Sequence, residues 1–146
     1  MNPDTTYFDF QHVRLKTKKC VVASRREVNT QAVLGIHAFK LPIVPANMVS
    51  TINEELAIKL AMNSYFYIHH RFGHDNATFV RKMNDLDLKT SISVGVNAES
   101  YTQLSAINSQ GLHLDFVTID IANGFYYKLQ QMAEYNRQTC RKTVII

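Results

Sequence analysis

The pattern of apolar and polar positions along the 146 residues changes character at Pro42. Beyond it, short β-prone apolar runs start at Pro42, Tyr65, Ser91, Phe116 and Thr143. Each interval, of about 25 residues, has room for a strand, a helix and two loops. The intervals carry helical periodicity: Ile52, Leu56, Ala57, Leu60 and Ala61 share one face between Thr51 and Asn63, as do Phe79, Val80 and Met83 between Asn76 and Leu86. Glu99 to Gln110 stops before Gly111, a residue suited to the position just past a helix, and Tyr126 to Thr139 sets Leu129, Met132 and Ala133 in register.

The runs Tyr65-Phe66-Tyr67-Ile68, Ile92-Ser93-Val94-Gly95-Val96 and Phe116-Val117-Thr118-Ile119-Asp120-Ile121 are almost unbroken in apolar residues. Strands of a parallel sheet covered on both faces read this way. Repeated β-α units build either a doubly wound sheet or a (β/α)8 barrel, and no Gly-x-Gly-x-x-Gly turn follows the first run to favour the former. In the expected first unit a strand begins at Pro42 and stops at Pro45. A small turn, Ala46-Asn47-Met48, follows, and a capping box at Thr51 and Glu54 opens the helix.

Residues 7 to 40 lack the repeat. Tyr7-Phe8-Asp9-Phe10 and Val13-Arg14-Leu15 alternate, Cys20-Val21-Val22 is a short apolar run, and Gly35 interrupts a further β-prone stretch. The expectation is a β-rich extension over residues 1–41, packed under a sheet built from residues 42–146, all within a single partial domain.

Composition adds limits. With 46% hydrophobic and 19% charged residues the chain can bury one ordinary core. The net charge of +4 comes partly from Lys16, Lys18 and Lys19 and from Arg137, Arg141 and Lys142, and the aromatics do not alternate with these cations. A solvated charged face is the reading, with no nucleic acid as partner. Cys20 and Cys140 stand far apart in no CxxC arrangement, so neither a disulfide framework nor a closed zinc site is expected, and a reducing cytoplasm fits. No run is long enough to cross a bilayer, so no membrane is expected either.

Asp120 is the sharpest candidate for chemistry. A carboxylate near the C-terminal end of an apolar strand needs partners, and the C-terminal mouth of a β-α sheet is where ligands sit; capping the next helix is the competing role. His69-His70-Arg71-Phe72-Gly73-His74-Asp75 holds three of the six histidines. Adjacent histidines on a strand should face opposite ways, so anion binding by Arg71 and one histidine, or a solvated loop, is expected ahead of a metal. Ser24-Arg25-Arg26-Glu27 reads as a charged surface turn, and both cysteines as structural thiols.

Taken together, these stretches resemble the IMP dehydrogenase/GMP reductase family, and particularly its GMP reductase branch. The resemblance rests on Phe8-Asp9-Phe10, Ser24-Arg25-Arg26-Glu27-Val28-Asn29-Thr30, Pro42-Ile43-Val44-Pro45-Ala46-Asn47-Met48, Tyr65-Phe66-Tyr67-Ile68-His69-His70-Arg71-Phe72, Ser91-Ile92-Ser93-Val94-Gly95-Val96 and Thr118-Ile119-Asp120-Ile121-Ala122-Asn123-Gly124. It implies the first half of a (β/α)8 TIM barrel, strands 1 to 4 and the start of 5, where a complete barrel takes about 250 residues. It further implies a cytoplasmic oxidoreductase that uses NADPH to deaminate GMP reductively to IMP and ammonia. Ala46, Asn47 and Met48 would border the nucleotide, and Asp120, Ala122, Asn123 and Gly124 the nicotinamide end of the cofactor. His70 and Arg71 would suit a cofactor phosphate, and Ser24 with Arg25 would reach a neighbouring subunit's cofactor in a homo-oligomer, a tetramer in the family. Asn29, Ser64 and the pair Phe125-Tyr126 depart from the family pattern. The family's nucleophilic cysteine and phosphate loops lie on later units, and neither Cys20 nor Cys140 matches that nucleophile. No catalytic residue is therefore assigned within these 146 residues. A non-catalytic half-barrel that binds a partner chain, such as a complementing C-terminal half, is the alternative.

Overall fold

The computed structural model describes residues 8–146. A hairpin of β1 (Ala32–Leu34) and β2 (His37–Phe39) precedes helices α1 (Glu54–Met62) and α2 (Asn76–Asp85). Then β3 (Ser91–Val94), α3 (Ala98–Ser109), β4 (Phe116–Ile119), α4 (Tyr127–Thr139) and β5 (Val144–Ile145) alternate. The order β3-β4-β5 is fully parallel, with Ser91 opposite Phe116 and Phe116 opposite Val144.

The run at Tyr65 joins this sheet at one point only. A parallel bridge sets His69 beside Ile92: the Ser91 carbonyl accepts from the His69 N–H at 3.1 Å, and the His69 carbonyl accepts from the Ser93 N–H at 2.9 Å. Pro42 to Pro45, expected as the first strand, is not a strand. Its two prolines withdraw backbone donors, and Ile43 and Val44 are exposed instead of covered by a helix layer. Five paired parallel strands were expected; among the described residues the sheet has three and a bridged fourth segment.

Helix starts follow local side-chain chemistry. Asn53, Asp75 and Asn97 each cap a helix by accepting an N–H from three residues on. Asn53 thus displaces the capping box expected from Thr51 and Glu54. The N–H groups of Thr51 and Ile52 are spent on the Met48 carbonyl, which keeps Thr51 in the preceding turn. Past α3, Gly111 takes φ +64, as its place just beyond a helix requires.

Two apolar layers flank the sheet. On the helix side, Ile92, Val94 and Val117 pack with Tyr67, Phe79, Met83, Leu104 and Met132. On the other, Phe39 of the hairpin meets Phe66 and Phe116 with ring centroids 5.0 to 5.7 Å apart. The neighbours Phe66 and Tyr67, like Phe116 and Val117, go to opposite layers because strand side chains alternate.

The hairpin is the only part of residues 8–41 to form strands. Residues 8–31 are exposed throughout. They hold two short 3₁₀ turns, Phe10–His12 and Arg25–Glu27, in place of the strands expected at Phe8 to Phe10, Val13 to Leu15 and Cys20 to Val22; Tyr7 lies outside the described residues. The cause is local: the Asp9 carboxylate accepts the Phe10 N–H, the Asp9 N–H donates to His12 Nδ1, and Ser24 Oγ accepts the Arg26 N–H. Such bonds offer the backbone an alternative to a ladder.

Candidate functional site at the C-terminal end of the sheet

Asp120 follows β4 directly and is fixed by its own backbone, whose N–H donates to the Val94 carbonyl at 2.8 Å. Arg71 arrives at the same place from the segment bridged to the other side of β3. Its Nε stands 3.5 Å from Asp120 Oδ2, and each side chain is about one-third exposed. The approach lacks hydrogen-bond geometry, so the buried Arg71 Nε has no hydrogen-bond partner. The guanidinium stacks 4.5 Å from the Phe72 ring centre. Gly95, at the end of β3, donates its N–H to Ser100 Oγ, and a Cβ added there would lie 3.6 Å from Arg71 Nη1. A methyl group there would make ordinary van der Waals contact with Ser100 Oγ, at 3.4 Å, and with the arginine.

Next to this pair, His69, His70 and His74 come together. Each ring offers a nitrogen, and the three nitrogens lie within 4.8 Å of one another. His69 and His70 do not point to opposite faces as an unbroken strand would require. The ladder has only the single bridge here, and the two rings stack at 4.9 Å with both side chains buried. Gly73, at φ +73, lets the loop turn back to bring in His74. Burial, then the proximity of His74 and His70, lowers the His69 pKa to about 3. Burial, then the proximity of His74, lowers that of His70 as well. Both are neutral at pH 7, and the guanidinium of Arg71 faces Asp120.

The remaining expected site residues are more dispersed. Ala122, Asn123 and Gly124 form the exposed loop after Asp120, with Asn123 Oδ1 accepting the Phe125 N–H at 3.0 Å and Phe125 fully exposed. Ala46 to Met48 form a turn closed by the Met48 N–H on the Ala46 carbonyl. Ser24 caps the turn that includes Arg25 on the exposed N-terminal segment. Among the described residues, no hydrogen bond or ion pair links Ala46 to Met48, Ser24 or Arg25 with Arg71 or Asp120. Cys140 is half-buried, and burial raises its thiol pKa, which disfavours the thiolate.

Sequence reading missed Asp115, at the opposite end of β4. Its buried carboxylate accepts the Thr90 N–H at 2.8 Å and lies 3.3 Å from both Lys89 Nζ and His113 Nε2. An acid directly ahead of an apolar strand, flanked by His113, was the available signal. This group ties β3 to β4 and lies at the end of β4 away from Arg71 and Asp120.

No family model matches the chain. Curated proteins do. The GMP reductase of Mycoplasma mycoides subsp. mycoides is 48% identical over 139 residues, or 95% of this chain and 43% of the relative. That of Mesoplasma florum is 45% identical over 130 residues, 89% of this chain and 41% of the relative. This chain is a relative of GMP reductase. The GMP reductase of Helicobacter pylori strain J99 agrees, at 46% identity over 95% of the chain. The chain spans less than half the length of the GMP reductases it matches. Among solved structures, inosine 5'-monophosphate dehydrogenase from Legionella pneumophila superposes with a TM-score of 0.77 over 93% of this chain and 42% of that one, at 22% identity. That likeness is one of fold.

Proposed function

We propose that this chain forms one wall of the ligand mouth of a GMP reductase-type (β/α)8 barrel. The completed cytoplasmic enzyme would convert GMP to IMP with release of ammonia. NADPH, when bound, supplies the hydride that replaces the 2-amino group at the purine C2. The observation that carries the reading is the Arg71–Asp120 pair: opposite charges from two separate segments, converging where β-α sheets receive ligands, with the arginine Nε left without a hydrogen bond.

The residues fit such a cofactor in part. Arg71 carries the planar guanidinium fork suited to a phosphate oxygen, and its buried Nε lacks a hydrogen-bond partner. His70, being neutral, contributes a hydrogen bond and no charge. Asp120 and the Ala122-Asn123-Gly124 loop border the nicotinamide end, while Ala46, Asn47 and Met48 border the purine nucleotide. Ser24 and Arg25 are free to meet a neighbouring subunit in a homo-oligomer. A second reading, an assembly module that binds a partner chain, draws support from the apolar face formed by Val33, Leu41, Pro42, Val44, Ile68 and Ile146.

The test joins this chain to the portion of a GMP reductase relative that lies outside the match. In that chimera Asp120→Ala should raise the KM for NADPH by at least about tenfold and leave that for GMP within about threefold. Equal losses for both ligands would reduce Asp120 to a residue that only holds its loop.

A further inference from the structure

We infer that His69, His70 and His74 form a binding site for a divalent transition metal of the zinc class. Imidazole nitrogens are the preferred ligands of Zn²⁺, Co²⁺, Ni²⁺ and Cu²⁺, and three of them leave a fourth position for water.

The loop builds the site. His69 is set by the bridge to β3, His70 follows it, and the left-handed turn at Gly73 returns His74 so that its ring centroid lies 4.2 Å from that of His69 and 4.9 Å from that of His70. His69 is only 3% exposed, and its Nδ1 is buried with no hydrogen-bond partner. A buried ring nitrogen without a partner is costly, and a metal ion would supply one. Phe79 stacks on the His69 ring at 4.0 Å and fixes its plane.

His74 carries the outer support that metal-bound histidines use. Its Nδ1 faces the Phe72 carbonyl at 3.0 Å, and its Nε2 faces Asn76 Oδ1 at 3.2 Å. The Asn76 amide cannot turn over, because its Nδ2 donates to the Ser93 carbonyl and to Gln103 Oε1. A neutral imidazole has one N–H for these two acceptors, so one contact sets a lone pair against an oxygen. With Nδ1–H on Phe72, the Nε2 lone pair is the one set against Asn76 Oδ1, and a rotation of the ring away from that oxygen would turn it toward an ion shared with His69 and His70. His70 accepts the Phe72 N–H at 3.2 Å and must release this long bond to bind. Tetrahedral zinc sets nitrogens about 3.3 Å apart, so ligation draws the rings inward by roughly 1.5 Å from the widest separation.

The test uses the metal alone on the purified chain. Titrated Co²⁺ should bind at one ion per chain with the visible ligand-field bands of a tetrahedral site, and Zn²⁺ should displace it. His74→Gln, at a half-buried loop position, should weaken binding by at least about tenfold. His12→Gln and His113→Gln, altering exposed histidines, should leave it unchanged. In the unmodified protein, Zn²⁺ should shift the ring resonances of His69, His70 and His74 and the Phe72 amide. Absence of saturable binding, or binding that follows His12 or His113 and spares the three clustered rings, would overturn the inference.

Discussion

Arg71 Nε and Asp120 Oδ2 stand 3.5 Å apart at the C-terminal end of the sheet, opposite in charge yet without the alignment of a hydrogen bond. With both side chains about one-third exposed, such a pair contributes at most about 1 kcal/mol to stability. Asp120→Asn should therefore shift the urea midpoint of the chain very little. A loss of several kcal/mol would make the pair a structural clasp and remove the reason to assign it to ligand binding.

Arg71→Lys separates charge from shape. Lysine keeps the cation but loses the planar fork and its stacking on Phe72. In a completed enzyme this variant should lower kcat/KM for NADPH by about tenfold or more, while Arg71→Met should lower it further. A lysine variant with unchanged kinetics would show that only the charge is used.

The Asp115 carboxylate predicts an acid-sensitive component of stability. Burial raises its pKa, but the Thr90 N–H, Lys89, the Thr90 hydroxyl and His113 together outweigh that and leave it below the ordinary 3.8. Folding then favours the ionised form. This contribution is fully present above about pH 4 and is lost as the pH falls through the lowered value. Asp115→Asn should cost about 1–3 kcal/mol at pH 7, with a smaller difference from the unmodified chain near pH 3. Denaturant titrations at both pH values check this, and parallel loss in the two proteins would contradict it.

Phe116→Ala should cost about 3–5 kcal/mol, because the ring is fully buried between Phe39 and Phe66 and holds the hairpin to the sheet. Released hairpin amides in hydrogen exchange would identify the mechanism. Protection unchanged in β1 and β2 would mean that other contacts hold them.

Helical periodicity in the sequence located α2, α3 and α4 to within a residue or two, and continuous apolar runs located β3 and β4. Those signals are local, so each segment carries its own evidence. The run at Pro42 failed because pairing needs a neighbour, and nothing in Ile43 or Val44 records whether one is beside it. The Val13 to Leu15 and Cys20 to Val22 runs failed for a similar reason, since alternation marks a strand only where a sheet can take it up. At the site, Asp120 and Arg71 were each legible from position, but their meeting depends on the bridge of His69 to Ile92, and so does the convergence of the three histidines. Asp115 escaped because its partners Thr90 and Lys89 lie on the preceding strand-forming segment.

The most direct measurement follows NADPH absorbance with GMP present, alongside ammonia release, for the chain alone and for the chimera with the rest of a GMP reductase relative. On the proposed reading these residues supply one wall of the mouth, and interactions worth several kcal/mol of the barrier each come from the portion of the barrel outside the match. The chain alone should give no turnover, while the folded chimera should consume NADPH only when GMP is added, release ammonia in step, and need at least about tenfold more NADPH on Asp120→Ala. A chimera that folds yet leaves NADPH untouched, or GMP-dependent turnover by the 146-residue chain alone, would contradict the assignment.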